Sequence, residues 1–260
     1  MRPILFSIGS YQVPSFFFLI TIAALVGTTY AVWIGRKNGL KADVILDMGL
    51  IGFIGAVLGA RIFHILVEAP DYYWEKPMRV LEFGRGGFVS WGGFLTIGLS
   101  FWIYFRIRKL APLPYFDILC VAAPIIKFFL RLACLLIGCC YGRPTDLPWG
   151  ITFHDPASTA HYFMGAIPLH PTQIYSMIHS VLLFLFINWF YRRRKFDGQT
   201  TCLLAIFWSL PRMVVEFFRA DSDRGIYFGF LSTGMIVGFA VSLFFLGMYR
   251  YLAKKNRHVD

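Results

Sequence analysis

Charge is scarce in this chain, and negative charge is scarcer still. Of 260 residues 15% are charged, with 14 Asp and Glu against 25 Lys and Arg, where a soluble domain carries roughly 25% charged residues. With 57% hydrophobic residues, 28 Phe and a mean hydropathy of +0.62, the composition excludes disorder, a collagenous chain and an ordinary cytosolic enzyme. No internal repeat, low-complexity tract or Ser/Gly linker interrupts it, so residues 1–260 are expected to form a single domain. A cleavable signal pattern is also missing. Arg2 is the first charge, and residues 7–14 break the apolar run before any cleavage-site pattern, so the first run is expected to stay in the membrane. The net charge of +11 could in principle attract nucleic acid. In so apolar a chain it points instead to basic loops at a membrane face, with no nucleic-acid partner.

What the chain has is long apolar runs. A membrane-crossing helix needs about 20 mostly apolar residues in a row, and residues 14–35, 44–67, 88–105, 115–140, 172–191, 200–218 and 228–249 are read as such runs. The expected fold is all-α, a polytopic membrane protein of about seven transmembrane helices. Its cations set the orientation. Fourteen of the 25 fall in short clusters: Arg36, Lys37, Lys41; Arg106, Arg108, Lys109; Arg192, Arg193, Arg194, Lys195; and Arg250, Lys254, Lys255, Arg257. Arg2, Lys76, Arg79, Arg85, Arg143, Arg219 and Arg224 lie on the other side. Cytoplasmic loops are the basic ones, which places the N-terminus outside and the C-terminus in the cytoplasm. The long connections, residues 68–87 and 141–171, then face outward, and chemistry is expected there because long ordered loops are more often functional.

Arg61, Lys127, Arg131 and Arg212 remain at membrane depth, where an ionised side chain costs at least ~2.5–3.5 kcal/mol. Arg61, near the outer end of its run, either snorkels to the interface or has a partner. Lys127 and Arg131 are four residues apart on one helix face and repel each other unless an anion intervenes. Asp117 is about four turns from Arg131, so Arg131 is expected to face a carboxylate from another helix or an anionic ligand. Arg212, Glu216 and Arg219 also share one face, and an internal salt bridge of Glu216 with Arg212 or Arg219 is the plain structural expectation. A guanidinium left over makes a phosphate site, since Arg grips phosphate through paired N–H bonds. The phosphate most abundant at that depth is a phospholipid headgroup.

Gly84-Arg85-Gly86-Gly87 and Ser90-Trp91-Gly92-Gly93 allow close helix approach or expose backbone N–H groups to an anion. His170-Pro171-Thr172-Gln173-Ile174-Tyr175 reads as a helix entry with Thr172 and Gln173 as capping groups, and His170 and Tyr175 over the bundle. Cys120 and Cys202 lie in apolar runs. Cys134, Cys139 and Cys140 offer no Cys-x-x-Cys pair, so no metal is expected and packing or an exposed thiol is the reading.

These blocks together resemble the prolipoprotein diacylglyceryl transferases. The resemblance runs through Phe6-Ser7-Ile8-Gly9, Gly59-Ala60-Arg61-Ile62, the paired glycines Gly86-Gly87 and Gly92-Gly93, the stretch from Arg131 to Gly142, the His170 block, and Arg212 through Arg219, over essentially the full length. It implies a multi-pass enzyme of the bacterial cytoplasmic (inner) membrane, active in lipoprotein biosynthesis without a cofactor. Such an enzyme moves a diacylglyceryl group from phosphatidylglycerol to the lipobox cysteine of a prolipoprotein signal peptide and releases glycerol phosphate. By the motif match Arg131 and Arg212 are the essential arginines, with His170 and Glu216 beside them as catalytic residues. Arg131, Arg61, Arg143, Gly92, Gly93, Gly142, Gln173 and Tyr175 are then expected to bind the phosphatidylglycerol. The chain departs from the family pattern at Trp91, where a His is usual, and at Cys134 and Cys139, where Asn and Glu are usual. Phe16 replaces a Tyr and Met235 a Gln. The alternatives are another acceptor, such as a sugar, polyisoprenoid or lipid, or a non-catalytic phospholipid-binding membrane protein.

Overall fold

The computed structural model describes residues 4–9, 11–81, 87–220, 226–227 and 231–256. The chain divides into two compact units, one of residues 1–31 and 116–260 and one of residues 32–115. Its long helices are α1 (Ser15–Lys37), α2 (Ala42–Phe63), α4 (Ser90–Arg108), α5 (Pro112–Ile137), α7 (Thr172–Tyr191), α8 (Gln199–Phe217) and α9 (Thr233–Asn256), and α3 (Pro70–Trp74) and α6 (Thr159–Met164) are short. Six of the long helices are long and apolar enough to cross a membrane, counting α2 with its π-helical extension to Glu68; α4, with its Trp, Tyr, Ser and Gly content, falls short of the other six. Leu25, Leu50, Phe94, Leu182, Leu185 and Phe244 are between 59% and 70% exposed. Apolar side chains presented so widely on helix after helix need hydrocarbon, not water, around them.

The fold is helical as expected, but three two-stranded ribbons stand among its connections. They are β1 (Ile4–Ile8) with β2 (Tyr11–Pro14), β3 (Ile151–Thr152) with β4 (Pro168–Leu169), and β5 (Ile226–Tyr227) with β6 (Leu231–Ser232), all antiparallel. They satisfy backbone groups that no helix covers.

In the larger unit α5 and α8 are tied by side chains that complete each other's backbone. The buried Asp117 carboxylate accepts from the backbone N–H groups of Gly198 (2.8 Å) and Thr201 (2.7 Å) and from the Thr201 hydroxyl. Those N–H groups are first-turn donors of α8 with no partner in their own helix, so α5 supplies the cap that Gly198 cannot. Farther along, Pro211 has no N–H for the carbonyl of Phe207, four residues back. His179 of α7 donates Nε2–H to that carbonyl at 3.0 Å, which leaves its Nδ1 to accept from Lys127 Nζ at 2.8 Å. Lys127 also lies over the Trp208 ring. A cation at membrane depth is thus held by an imidazole and an indole face rather than by a carboxylate.

The fourth apolar run extends on paper to Cys140, but α5 ends at Ile137. Gly138 takes φ +76°, and the N–H groups of Gly138 and Cys139 both return to the Cys134 carbonyl, at 2.9 and 3.1 Å. This glycine-closed turn satisfies the end of the helix and reverses the chain. The loop beyond it has its own core of Tyr141, Phe153, Ala160 and Leu169.

In the smaller unit α2 packs on α4 at glycines. A side chain on Gly59 would meet Thr96 and the Gly92 carbonyl, and one on Gly92 would meet Phe63 and the Gly59 carbonyl; Gly93 faces Ala56. Small residues four apart let the two backbones touch. The far ends are joined by Arg108 with Asp43 and by Tyr104 with Asp47, each at 2.6 Å.

Asp117→Ala removes the shared cap of α8. Hydrogen bonds to a charged group contribute about 1.5–3 kcal/mol each, so we expect a cooperative unfolding midpoint several degrees lower in detergent. Asp117→Asn should recover part of that loss. An unchanged midpoint for Asp117→Ala would contradict the role.

Candidate functional site

The larger unit gathers most of the residues singled out by sequence. After the turn at Gly138, residues 141–143 run between two other segments. Arg143 N–H donates to the Phe218 carbonyl (2.7 Å), Ala220 N–H to the Tyr141 carbonyl (3.3 Å), and on the other side His170 N–H to the Arg143 carbonyl (2.9 Å). Arg143 also donates from Nε to the Arg219 carbonyl at 3.3 Å, while its side chain reaches the surface. Gly142 lies at the centre of this crossing. A Cβ there would strike His170 and the Phe218 carbonyl, so only glycine fits between the strands.

The start of α7 holds the same loop. Thr172 and Gln173 do not cap their helix, whose N-cap is Pro171 and has no side-chain acceptor. Thr172 Oγ1 donates instead to the Cys140 carbonyl (2.6 Å) and Gln173 Nε2 to the Cys139 carbonyl (2.8 Å). The two polar side chains serve the loop because its carbonyls otherwise lack donors. Gln173 is fully buried, and its Oε1 has no hydrogen-bond partner. Above it Tyr175 Oη accepts from Trp149 Nε1 (2.9 Å) and lies 3.2 Å from His170 Nδ1, and the rings of His170 and Tyr175 pack on Phe218.

The charges converge at the ends of α5 and α8. Arg212 pairs with Glu216 at 3.2 Å, and Arg219 reaches the same carboxylate oxygen at 3.8 Å. The internal salt bridge expected from the spacing is therefore present, with both arginines. Arg131 differs. Its Nε is buried with no hydrogen-bond partner, and among the described residues no carboxylate comes within ion-pair distance of it. Arg131 and Arg212 lie close enough to repel each other. With Glu216 the trio carries a net positive charge in a setting with little water, where an anion is the missing partner.

Cys134, Cys139 and Cys140 stand beside this trio, their sulphur atoms all within 4.8 Å of one another. Hydrogen bonds with Cys134 and Cys139 pull the Cys140 thiol below its ordinary value, and the charges of Arg131 and Arg219 add to this against burial. This cluster was not expected, whereas the pairing of Arg219 with Glu216 was. The cysteines' one-dimensional spacing hid the cluster, because only the reversal of the chain at Gly138 brings the three together.

Arg61, Gly92 and Gly93 belong to the smaller unit. Arg61 is buried rather than snorkelling, because its guanidinium finds acceptors at once: the carbonyls of Arg79 (2.7 Å), Gly87 (3.2 Å) and Val80 (3.4 Å), with the rings of Tyr73 and Phe88 at its faces. Gly92 and Gly93 are at the contact with α2. Arg85 and Gly86 lie outside the described residues.

The fold and site define a class: a multi-pass membrane protein with two arginines close together, one of them without a hydrogen-bond partner at its buried Nε. The comparison with known proteins is specific. A family model described as prolipoprotein diacylglyceryl transferase matches residues 3–251. A phosphatidylglycerol–prolipoprotein diacylglyceryl transferase of Clostridium tetani is 30% identical over 91% of this chain and 92% of its own length. One from Shewanella sp. (strain ANA-3) is 30% identical over 90% and 86%, and the second such protein of Clostridium perfringens is 28% identical over 99% and 98%. The chain belongs to the prolipoprotein diacylglyceryl transferase family. It is an enzyme of this type and a multi-pass protein of the bacterial inner membrane.

Gly142→Val tests the crossing. Overpacking a filled contact costs about 1–3 kcal/mol, so its unfolding midpoint should fall and activity should drop. Gly247→Ala, in open space on α9, should leave both unchanged. Equal behaviour of the two variants would refute the close approach.

Proposed function

We propose that this enzyme transfers the diacylglyceryl group of phosphatidylglycerol to the lipobox cysteine thiol of prolipoproteins. In this reading seven helices cross the membrane, including α4, with the N-terminus outside, the C-terminus in the cytoplasm, the whole chain acting as one domain and the site toward the outer face. The observation that carries it is the unpartnered Arg131 next to Arg212. A phosphate diester between them supplies the missing anion, and each guanidinium offers it paired N–H donors.

The chemistry follows from charge. The acceptor sulphur attacks the glyceryl methylene carbon next to the phosphate, the carbon–oxygen bond breaks, and its electron pair leaves on the phosphate oxygen as glycerol phosphate. Negative charge on the phosphate grows from one toward two during this step. Arginines already held in place stabilise that growth without reorganising. Glu216 fixes Arg212 by the ion pair between them. Gln173 Oε1, buried with no partner, accepts from a hydroxyl of the glycerol headgroup, and Gly142 and Arg143 shape the wall beside it. Arg61 braces the connection ahead of α4, and Gly92 and Gly93 set the contact of α4 with α2. His170 takes the thiol proton. In the tautomer suited to that task Nδ1–H donates to Tyr175 Oη and Nε2 presents its lone pair.

Purified enzyme with phosphatidylglycerol and a lipobox peptide should give the thioether-linked diacylglyceryl peptide by mass spectrometry. Arg131→Ala and Arg212→Ala should each lower that rate about 10²-fold or more, as the loss of one oxyanion-stabilising donor does, while the proteins insert normally. Lack of product from the unaltered enzyme, together with a glycolipid missing from a deletion strain whose lipoproteins remain intact, would replace the thiol by another acceptor.

A further inference from the structure

We infer that Cys134, Cys139 and Cys140 form a three-sulphur site for a thiophilic metal ion, Cu(I) by its donor set. The backbone brings them together in three steps. Cys134 is buried in the last turn of α5. The glycine-closed turn folds Cys139 back, its N–H on the Cys134 carbonyl. Cys140 then takes φ +58°, one of two positive values among the described non-glycine residues. An L-residue keeps that region only where its surroundings impose it, and such positions cluster at ligand clamps. Here Thr172 and Gln173 impose it by holding the carbonyls of both cysteines.

The result is three sulphurs within 4.8 Å of one another, all of them free thiols. A metal bonded to three thiolates at about 2.3 Å sets them roughly 4 Å apart, so small side-chain rotations close the site on an ion. No histidine nitrogen or carboxylate oxygen joins the group among the described residues. Zn²⁺ requires a fourth ligand for its tetrahedron, whereas an all-sulphur, low-coordinate set suits the softer Cu(I). The charges agree. Three thiolates and one Cu(I) leave two negative charges, and Arg131, Arg212 and Arg219 all act on Cys140. Binding exchanges three thiol protons for one cation and changes no oxidation state. It ties the 138–143 loop to the end of α5, and so fixes Gly142 and Arg143 against the helix that carries Arg131. This does not depend on which acceptor the enzyme uses.

The test uses the full-length protein, reduced and kept anaerobic in detergent, titrated with Cu(I) against a chromophoric Cu(I) chelator. One Cu(I) per chain should be retained, and X-ray absorption should show a shell of three sulphurs. Cys139→Ser and Cys140→Ser should each lose that retention, and the Cys120→Ser/Cys202→Ser double variant, which removes the cysteines outside the cluster, should keep it. Bound Cu(I) should also shield the three thiols from alkylation in the unaltered protein, a readout that needs no variant to fold. Retention unchanged in Cys139→Ser, a copper shell of nitrogen or oxygen, or a disulfide within the trio in freshly reduced protein that takes up no Cu(I) would each overturn the site.

Discussion

An arginine at the edge of a membrane needs a counter-charge, and among the described residues no carboxylate comes within ion-pair distance of Arg131. The other charges nearby have been provided for. Lys127 rests on His179 and Trp208, Asp117 is spent on the start of α8, and Arg212 and Arg219 share the Glu216 carboxylate. Against that background an unpartnered guanidinium is a cost retained for a purpose. In the proposed reading that purpose is an anion from outside the chain, and a phospholipid phosphate is the one a membrane always offers.

The surrounding architecture keeps that arginine in position. Its helix stops at Gly138, and the chain that leaves it is drawn between residues 218–220 and His170 with room only for Gly142. Thr172 and Gln173 pin the same loop from the start of α7. Three separate parts of the sequence are thereby locked around one end of α5 and α8. Displacing any of them moves Arg131 and Arg212 relative to the groups beside them, and catalysis by fixed charges tolerates little such movement.

Much of this was legible in the residues. Apolar runs and clustered Lys and Arg gave a polytopic membrane helix bundle, and the 131, 212 and 216 spacing pointed to an anion site with an internal ion pair. Period and charge are one-dimensional signals, and these features are local in one dimension. What was hidden depends on chain reversal. The turn at Gly138 shortened the fourth run and stacked Cys139 over Cys134. Thr172 and Gln173 look like helix caps by position, yet their partners lie more than thirty residues earlier. Arg61 at a helix end resembles a snorkelling arginine until the carbonyls of residues 79, 80 and 87 fold back upon it.

If Arg131 waits for the phosphate of phosphatidylglycerol, lipid retention measures this without requiring turnover. Native mass spectrometry of the detergent-released protein, offered equal phosphatidylglycerol and phosphatidylethanolamine, should find phosphatidylglycerol retained in preference. Arg131→Gln should abolish that preference while the protein keeps its unfolding midpoint. Undiminished phosphatidylglycerol retention by Arg131→Gln would contradict the account.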